Sequence, residues 1–160
     1  MTIPGMGRRT AEVILAEVGA EMDRFPSAEH LASWAGMCPG QHVSAGKRLG
    51  GRSQRGSPWL RSALTEAAWG AARTKGTYLA AQYRRIAARR GKQRAIVAVG
   101  HSILVSLYHM LAEERDYADL GGNFFDERER ELVQRRRVRR LEQLGLTVTV
   151  EPAQVPTPAA

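Results

Sequence analysis

The sequence predicts a mainly α fold, and three observations predict it. Apolar residues recur at helical spacing in segment after segment. Ser, Thr and Gly sit where those segments begin and end. The one long stretch without that periodicity, residues 37–57, is rich in glycine and arginine. Together they describe a helix-hairpin-helix-like turn, a small helical domain with a Gly-rich basic loop, and a charged C-terminal helix.

The elements follow in order. Ile3-Pro4-Gly5-Met6-Gly7-Arg8-Arg9-Thr10 reads as a turn that opens a helix, since Ala11, Val13, Ile14, Leu15, Ala16 and Val18 follow and Gly19 supplies a stop. Ser27 is a natural N-cap for a second helix to Trp34, with Leu31 and Trp34 expected to face inward. Residues 37–57 predict an extended or hairpin-like loop, a length that in a compact domain is usually functional or disordered. Ser57-Pro58 is a helix entry, Ser as cap and Pro at the first helical position, into an Ala-rich helix through Trp69.

A further helix is expected over Thr77–Arg90, broken by Gly91. Lys92–Glu114 is the longest apolar-periodic helix, with Ile96, Val97, Val99, Ile103, Leu104, Leu107 and Leu111 as its core positions. Gly121-Gly122 then separates the body from a charged helix over Asp126–Leu144. Thr147-Val148-Thr149-Val150 is expected to form a stub strand, and the Pro/Ala-rich end a disordered tail. The expected organisation is a domain over 1–115, a charged helical extension over 116–150 and a tail over 151–160.

Charge narrows the function class. The chain carries 24 Lys or Arg against 16 Asp or Glu, and only Lys47, Lys75 and Lys92 are lysines, so 21 of the cations are arginine. Residues 30–112 hold thirteen cations and one acid, Glu66, a net of +12 in that segment alone. Such a field calls for a polyanion, and guanidinium forks favour phosphate. Nucleic acid is the expected partner. One cysteine, Cys38, excludes an internal disulfide and a Cys-based zinc cluster, and reads as a small buried hydrophobe in a cytoplasmic protein. No signal-like N-terminus and no uninterrupted apolar run of about 20 residues suggests a membrane partner.

Within the basic segment, Ser44 is the candidate nucleophile. A serine attacking a phosphodiester needs the phosphate held and its charge neutralised, and Lys47, Arg48, Arg52, Arg55 and Arg61 could do both. His42 is a possible proton relay, although a plain loop polar group is the commoner use of such a residue. Ser57 is better spent as a cap and Ser53 as a loop residue. Pro4-Gly5-Met6-Gly7 followed by Arg8 could hold a second phosphate on backbone N–H groups at a helix start, or could be a simple tight turn. His30, His101 and His109 lack the carboxylate company of a metal site. Trp59 is the most exposed candidate for base stacking among three tryptophans otherwise expected as anchors. The Arg135–Arg140 cluster is flanked by acids and fits a solvated helix as well as a phosphate site.

Four segments taken in order are more specific than any one alone. They are Ile3-Pro4-Gly5-Met6-Gly7 with Thr10-Ala11, Ala32-Ser33-Trp34-Ala35-Gly36-Met37-Cys38-Pro39, Ser44-Ala45-Gly46-Lys47-Arg48, and Arg55-Gly56-Ser57 leading into Leu60-Arg61-Ser62-Ala63-Leu64. This series resembles the C-terminal domain of transposases of the insertion-sequence 110/116/902 family, relatives of Piv-type DNA invertases. The resemblance implies a site-specific DNA recombinase in which a RuvC-like domain supplies an Asp-Glu-Asp-Asp metal site and the C-terminal domain a serine nucleophile. The family's serine stands in a Ser-Gly context and maps to Ser44, where Ala45 intervenes before Gly46.

The resemblance also implies a structured guide RNA as partner. Residues 1–29 offer no RuvC-like carboxylate set, so the expectation is a truncated or split transposase with no cofactor of its own. Mg2+ is then expected only through the missing RuvC-like domain. Two other readings stay open: a noncatalytic DNA- or RNA-binding remnant, and a structural domain forming a homo-oligomer through Trp69 and the long helix.

Overall fold

The computed structural model describes residues 2–38, 42–50 and 55–150, with the hairpin strands described by their backbone. The fold is mainly α, as the periodicity requires. Helices α1 (Arg8–Val18), α2 (Ala28–Trp34), α3 (Pro58–Arg73), α4 (Tyr78–Arg90) and α5 (Lys92–Ala112) form the body, with a short antiparallel hairpin, β1 (His42–Ser44) and β2 (Lys47–Gly50), between α2 and α3. Helices α6 (Phe124–Arg128) and α7 (Arg130–Glu142) follow. The chain divides into two compact units, Met1–Phe125 and Asp126–Ala160.

Local chemistry accounts for the helix ends. Gly19 and Gly91 stop α1 and α4 at φ 82° and 83°, a region open to glycine without a Cβ penalty. The Ser57 hydroxyl accepts from the Leu60 N–H at 3.3 Å, so the expected cap on α3 is made, and Thr77 caps α4 in the same way, accepting from the Ala80 N–H at 3.3 Å. Ser27 caps α2 by backbone position only. Its hydroxyl donates to the Glu29 carboxylate at 2.6 Å instead, and lies 3.0 Å from His30 Nδ1.

Helices α3 and α5 make the centre of the first unit. Helix α5 packs on α2, α3 and α4, while α3 also packs on α1. Leu60, Leu64, Ile103 and Leu104 are fully buried between them, with Ile14 and Val18 from α1 and Leu31 from α2 closing the core. Alanines 63, 67, 68 and 71 give α3 a low surface that neighbouring backbones can approach. Helix α5 is long and apolar enough to cross a membrane, with a mean hydropathy of 1.7. Its apolar stripe is instead covered by three helices, the arrangement of a core helix.

Residues 116–125 belong with this body. Tyr117 N–H donates to the Thr2 hydroxyl at 3.0 Å, Gly122 N–H donates to the Gly76 carbonyl at 2.8 Å, and Tyr78 stacks on Phe125 with centroids 5.2 Å apart. In the second unit no residue of α7 is fully buried, and the helix pairs within its own segment by Arg137–Asp126 at 2.9 Å and Arg135–Glu131 at 3.4 Å.

Four expectations are corrected. Trp34 is 45% exposed, because Ala28, Leu31 and Ala32 form the buried face of α2 and the indole lies beside Phe25 at 5.5 Å. Val97 is 37% exposed, because it faces an open groove between α4 and α5 rather than the packed core. The expected continuous helix over Asp126–Leu144 is two, broken at Glu129 (φ −115°, ψ 31°). Thr147–Val150 forms no strand, having no partner to pair with among the described residues. The expected tail over 151–160 lies outside the described residues.

Two predictions follow from this packing. A methyl at Gly70 would meet Gly5 backbone at 2.4 Å, whereas one at Gly100 would meet chiefly the flexible end of Met37 at 2.8 Å. Gly70→Ala should lower stability by about 1–3 kcal/mol despite a helix-propensity gain of about 1 kcal/mol. Gly100→Ala should cost clearly less. Thermal melts of both variants check the order.

His101, half-buried on α5, has its imidazole pKa pushed down by burial, with Glu29 opposing weakly. The unfolded chain therefore binds the proton more readily. His101 contributes stability above its ordinary pKa of about 6.5, lost as pH falls from there through the depressed value. His101→Asn should flatten the melting temperature between pH 7 and 5 relative to wild type.

Candidate recombination site

Ser44 is the last residue of β1, and the register pairs it with Lys47 and pairs Val43 with Arg48. Only Ala45 and Gly46 lie between the strands, both at positive φ, 47° and 75°. Two consecutive residues of that kind are the signature of the tight hairpin turn whose twist matches antiparallel strands. The Ala45 that interrupts the family's Ser-Gly context thus occupies a turn position that glycine or asparagine would hold more easily. The ladder then slips by one residue, from Val43↔Arg48 to His42↔Gly50, leaving Leu49 opposite no partner.

The hairpin's segment is pinched at its base. A Cβ on Gly56 would lie 2.1 Å from the Ala35 carbonyl oxygen and 2.9 Å from Gly36 N, so the chain leaving the basic loop presses its backbone onto the chain entering it. Arg55 stands exposed on one side of this contact and half-buried Arg61 in the first turns of α3 on the other. Two of the expected phosphate ligands are thereby fixed to the frame rather than left on the loop. Arg52 lies outside the described residues. Cys38, at the entering root, has its thiol pushed up by burial, which suits the packing role expected of it and opposes a thiolate.

The turn at residues 4–7 has a different basis from the one its sequence suggested. Gly5 (φ 79°) is required because a side chain there would overlap Ala71 N at 2.0 Å and Gly70 C at 2.2 Å. The turn leads into α1 and packs on the Gly70-Ala71 backbone of α3. Gly7 is open, its Cβ position meeting nothing within 4 Å, and it starts α1 in extended conformation with no acidic residue in the first turn. The α1 N-terminus is therefore compatible with an anion. Arg8 beside it is exposed and bonds Glu12 at 2.8 Å.

Trp59 is 73% exposed beside the pinched root, the most exposed of the three tryptophans. Among the described residues no three of His, Cys, Asp and Glu gather as a metal site.

Comparison with known proteins decides the family. The model of the Transposase IS116/IS110/IS902 family matches residues 1–84, from the first turn through the hairpin and α3 into α4. The chain belongs to this family. Three similar family relatives are the pilin gene-inverting protein of Moraxella bovis, 46% identical over 43 residues (27% of this chain, 13% of that protein), a probable family 20 transposase of Pseudomonas aeruginosa, 33% identical over 69 residues (42% and 20%), and an insertion element IS110 protein of 43.6 kDa from Streptomyces coelicolor, 44% identical over 55 residues (34% and 13%). The chain thus spans between 13% and 20% of the length of these curated relatives. No solved structure matches it.

Sequence reasoning missed the pinch at Gly56. Its signal was present, a glycine flanked by Arg55 and a helix cap, but nothing local says which backbone it touches.

The turn gives a prediction. Ala45→Gly should relieve about 1 kcal/mol of left-handed backbone cost, slowing amide exchange in the hairpin by about fivefold. Exchange measured by mass spectrometry at unchanged rate would remove the strain from Ala45.

Proposed function

We propose that this chain is a DNA transposition or recombination domain in which Ser44 is the nucleophile. Ser44 Oγ attacks a DNA phosphorus. A phosphorus–serine oxygen bond forms, the bond to one strand oxygen breaks, and that strand leaves with a free hydroxyl once the serine proton has been given up. His42, two residues earlier in β1, is the proposed acceptor of that proton. Lys47, Arg48, Arg52, Arg55 and Arg61 hold and neutralise the phosphodiester. The Gly5–Gly7 turn with Arg8 adds a second backbone contact.

The observation that carries this reading is the family match across residues 1–84, which brackets the whole Ser44 segment. The tight turn at Ala45-Gly46 supports it by placing Ser44 and Lys47 at paired positions on either side of the turn. The names of the relatives, a gene-inverting protein and two products of transposable elements, point the same way. A RuvC-like domain in the recombination complex would supply the metal, and a structured RNA would choose the DNA sites.

The test is covalent capture. The chain is incubated with element-end DNA, a RuvC-like partner protein and matching RNA, then resolved on a denaturing gel. A protein–DNA adduct should appear for wild type and be lost in Ser44→Ala by at least a hundredfold. An adduct that survives Ser44→Ala, or no adduct with every component present, sinks the assignment.

A further inference from the structure

Between α4 and α5 runs an open groove of about 1050 Å3 whose character differs from the hairpin site. Small-molecule pockets span roughly 300–1,000 Å3 and are mostly apolar. This one sits at the upper limit and carries Arg61, Arg85, Arg89, Arg90 and Arg94 with no acidic lining residue. Its walls are two helical stripes. Tyr78, Gln82, Arg85, Ile86 and Arg89 fall at successive turns of α4, and Arg94, Val97, Ala98, His101 and Ser102 at successive turns of α5. Gln82 Nε2 donates to the Ser102 hydroxyl at 2.8 Å and ties the walls together.

Apolar floor and cationic rim occur together, and that pairing selects the occupant. Only Leu79 and Ala80 of α4 are buried in the core. Ile86 and the 37% exposed Val97 are left facing the groove. At one end Phe125 stacks on Tyr78 with an interplanar angle of 22°, and the Arg85 guanidinium lies 5.3 Å over the Phe125 ring. Gly91 (φ 83°) reverses the chain between Arg89-Arg90 and Arg94, gathering those cations at the α4–α5 turn. A duplex presents its phosphates outward and its bases inward, so it would use the rim and leave the floor empty. A single strand uses both, with phosphates on arginine and bases on apolar and aromatic surface.

The groove's other boundary points to where such a strand leads. Met37, Cys38 and Arg61 line it, and these flank the pinched roots of the segment that carries Ser44. The geometry points to the α4–α5 groove as a binding site for a single DNA strand, which it holds beside the Ser44 hairpin. That the strand is DNA rests on the proposed attack of Ser44 on DNA. The binding measurement below involves no chemistry, so it reads the groove even if no adduct ever forms, and an adduct can form even if the groove binds nothing.

The experiment is fluorescence anisotropy of the full chain with labelled fifteen-residue oligothymidine, oligouridine and a duplex of equal length, over a salt series. Oligothymidine should bind more tightly than the other two. The exposed-arginine variant Arg89→Ala/Arg90→Ala/Arg94→Ala should bind it at least tenfold more weakly, with a salt slope reduced by about 2, as expected for three phosphate contacts to a single strand. Val97→Glu, an acid placed on the exposed floor, should give a comparable loss, and its circular dichroism should match wild type. The proposal is overturned if wild type does not hold oligothymidine, if folded forms of both variants bind as wild type does, or if duplex or oligouridine binds more tightly.

Discussion

The molecule depends on a few places where backbone meets backbone with no room for a side chain. Gly5 lies on Gly70 and Ala71, and Gly56 lies on Ala35 and Gly36. Both contacts bear on α3, one along its length and one at its entrance. The first is possible because α3 offers Gly70 and Ala71 there, with no bulky side chain in the way. Close approach of this kind exchanges side-chain volume for position. The first turn is set against α3, and the two ends of the Ser44 segment are held together before the hairpin begins.

Electrostatics is organised around that frame. Arg8, Arg115, Arg135 and Arg137 each meet a carboxylate from their own neighbourhood, outside the middle segment. Within residues 30–112 the one acid, Glu66, accepts from Thr10 at 3.4 Å across the α1–α3 contact. Cations there are concentrated on the hairpin, the start of α3 and the α4–α5 turn. The same charge that is a burden for a compact state leaves a positive field over these elements.

The helices were largely legible because their ends are punctuated locally. Gly19, Ser57-Pro58, Thr77 and Gly91 act through φ preference and capping, which need no distant partner. Val97 and Trp34 were misread because apolar spacing says that a face wants cover, and says nothing of whether a helix arrives to cover it. The valines and threonines at 147–150 were misread as a strand for the same reason: β-propensity without a partner yields no ladder. Ser44 stood out in the sequence through its basic company. The pinch that anchors its segment did not, because contact between residues 35 and 56 is a product of the whole fold.

By itself the sequence determined the helical class, most helix boundaries, the segregation of charge and the motif series of the transposase family. All of these reside in short windows of chain or in simple counts, so covalent neighbours suffice to set them. Only the tertiary structure decided that Gly5 serves packing, that Ala45 and Gly46 form the two-residue turn beside Ser44, and that the apolar surplus of α4 and α5 lines an arginine-rimmed groove. Those outcomes turn on which backbones approach closely and which faces lack a partner, and both are settled by the assembled set of helices.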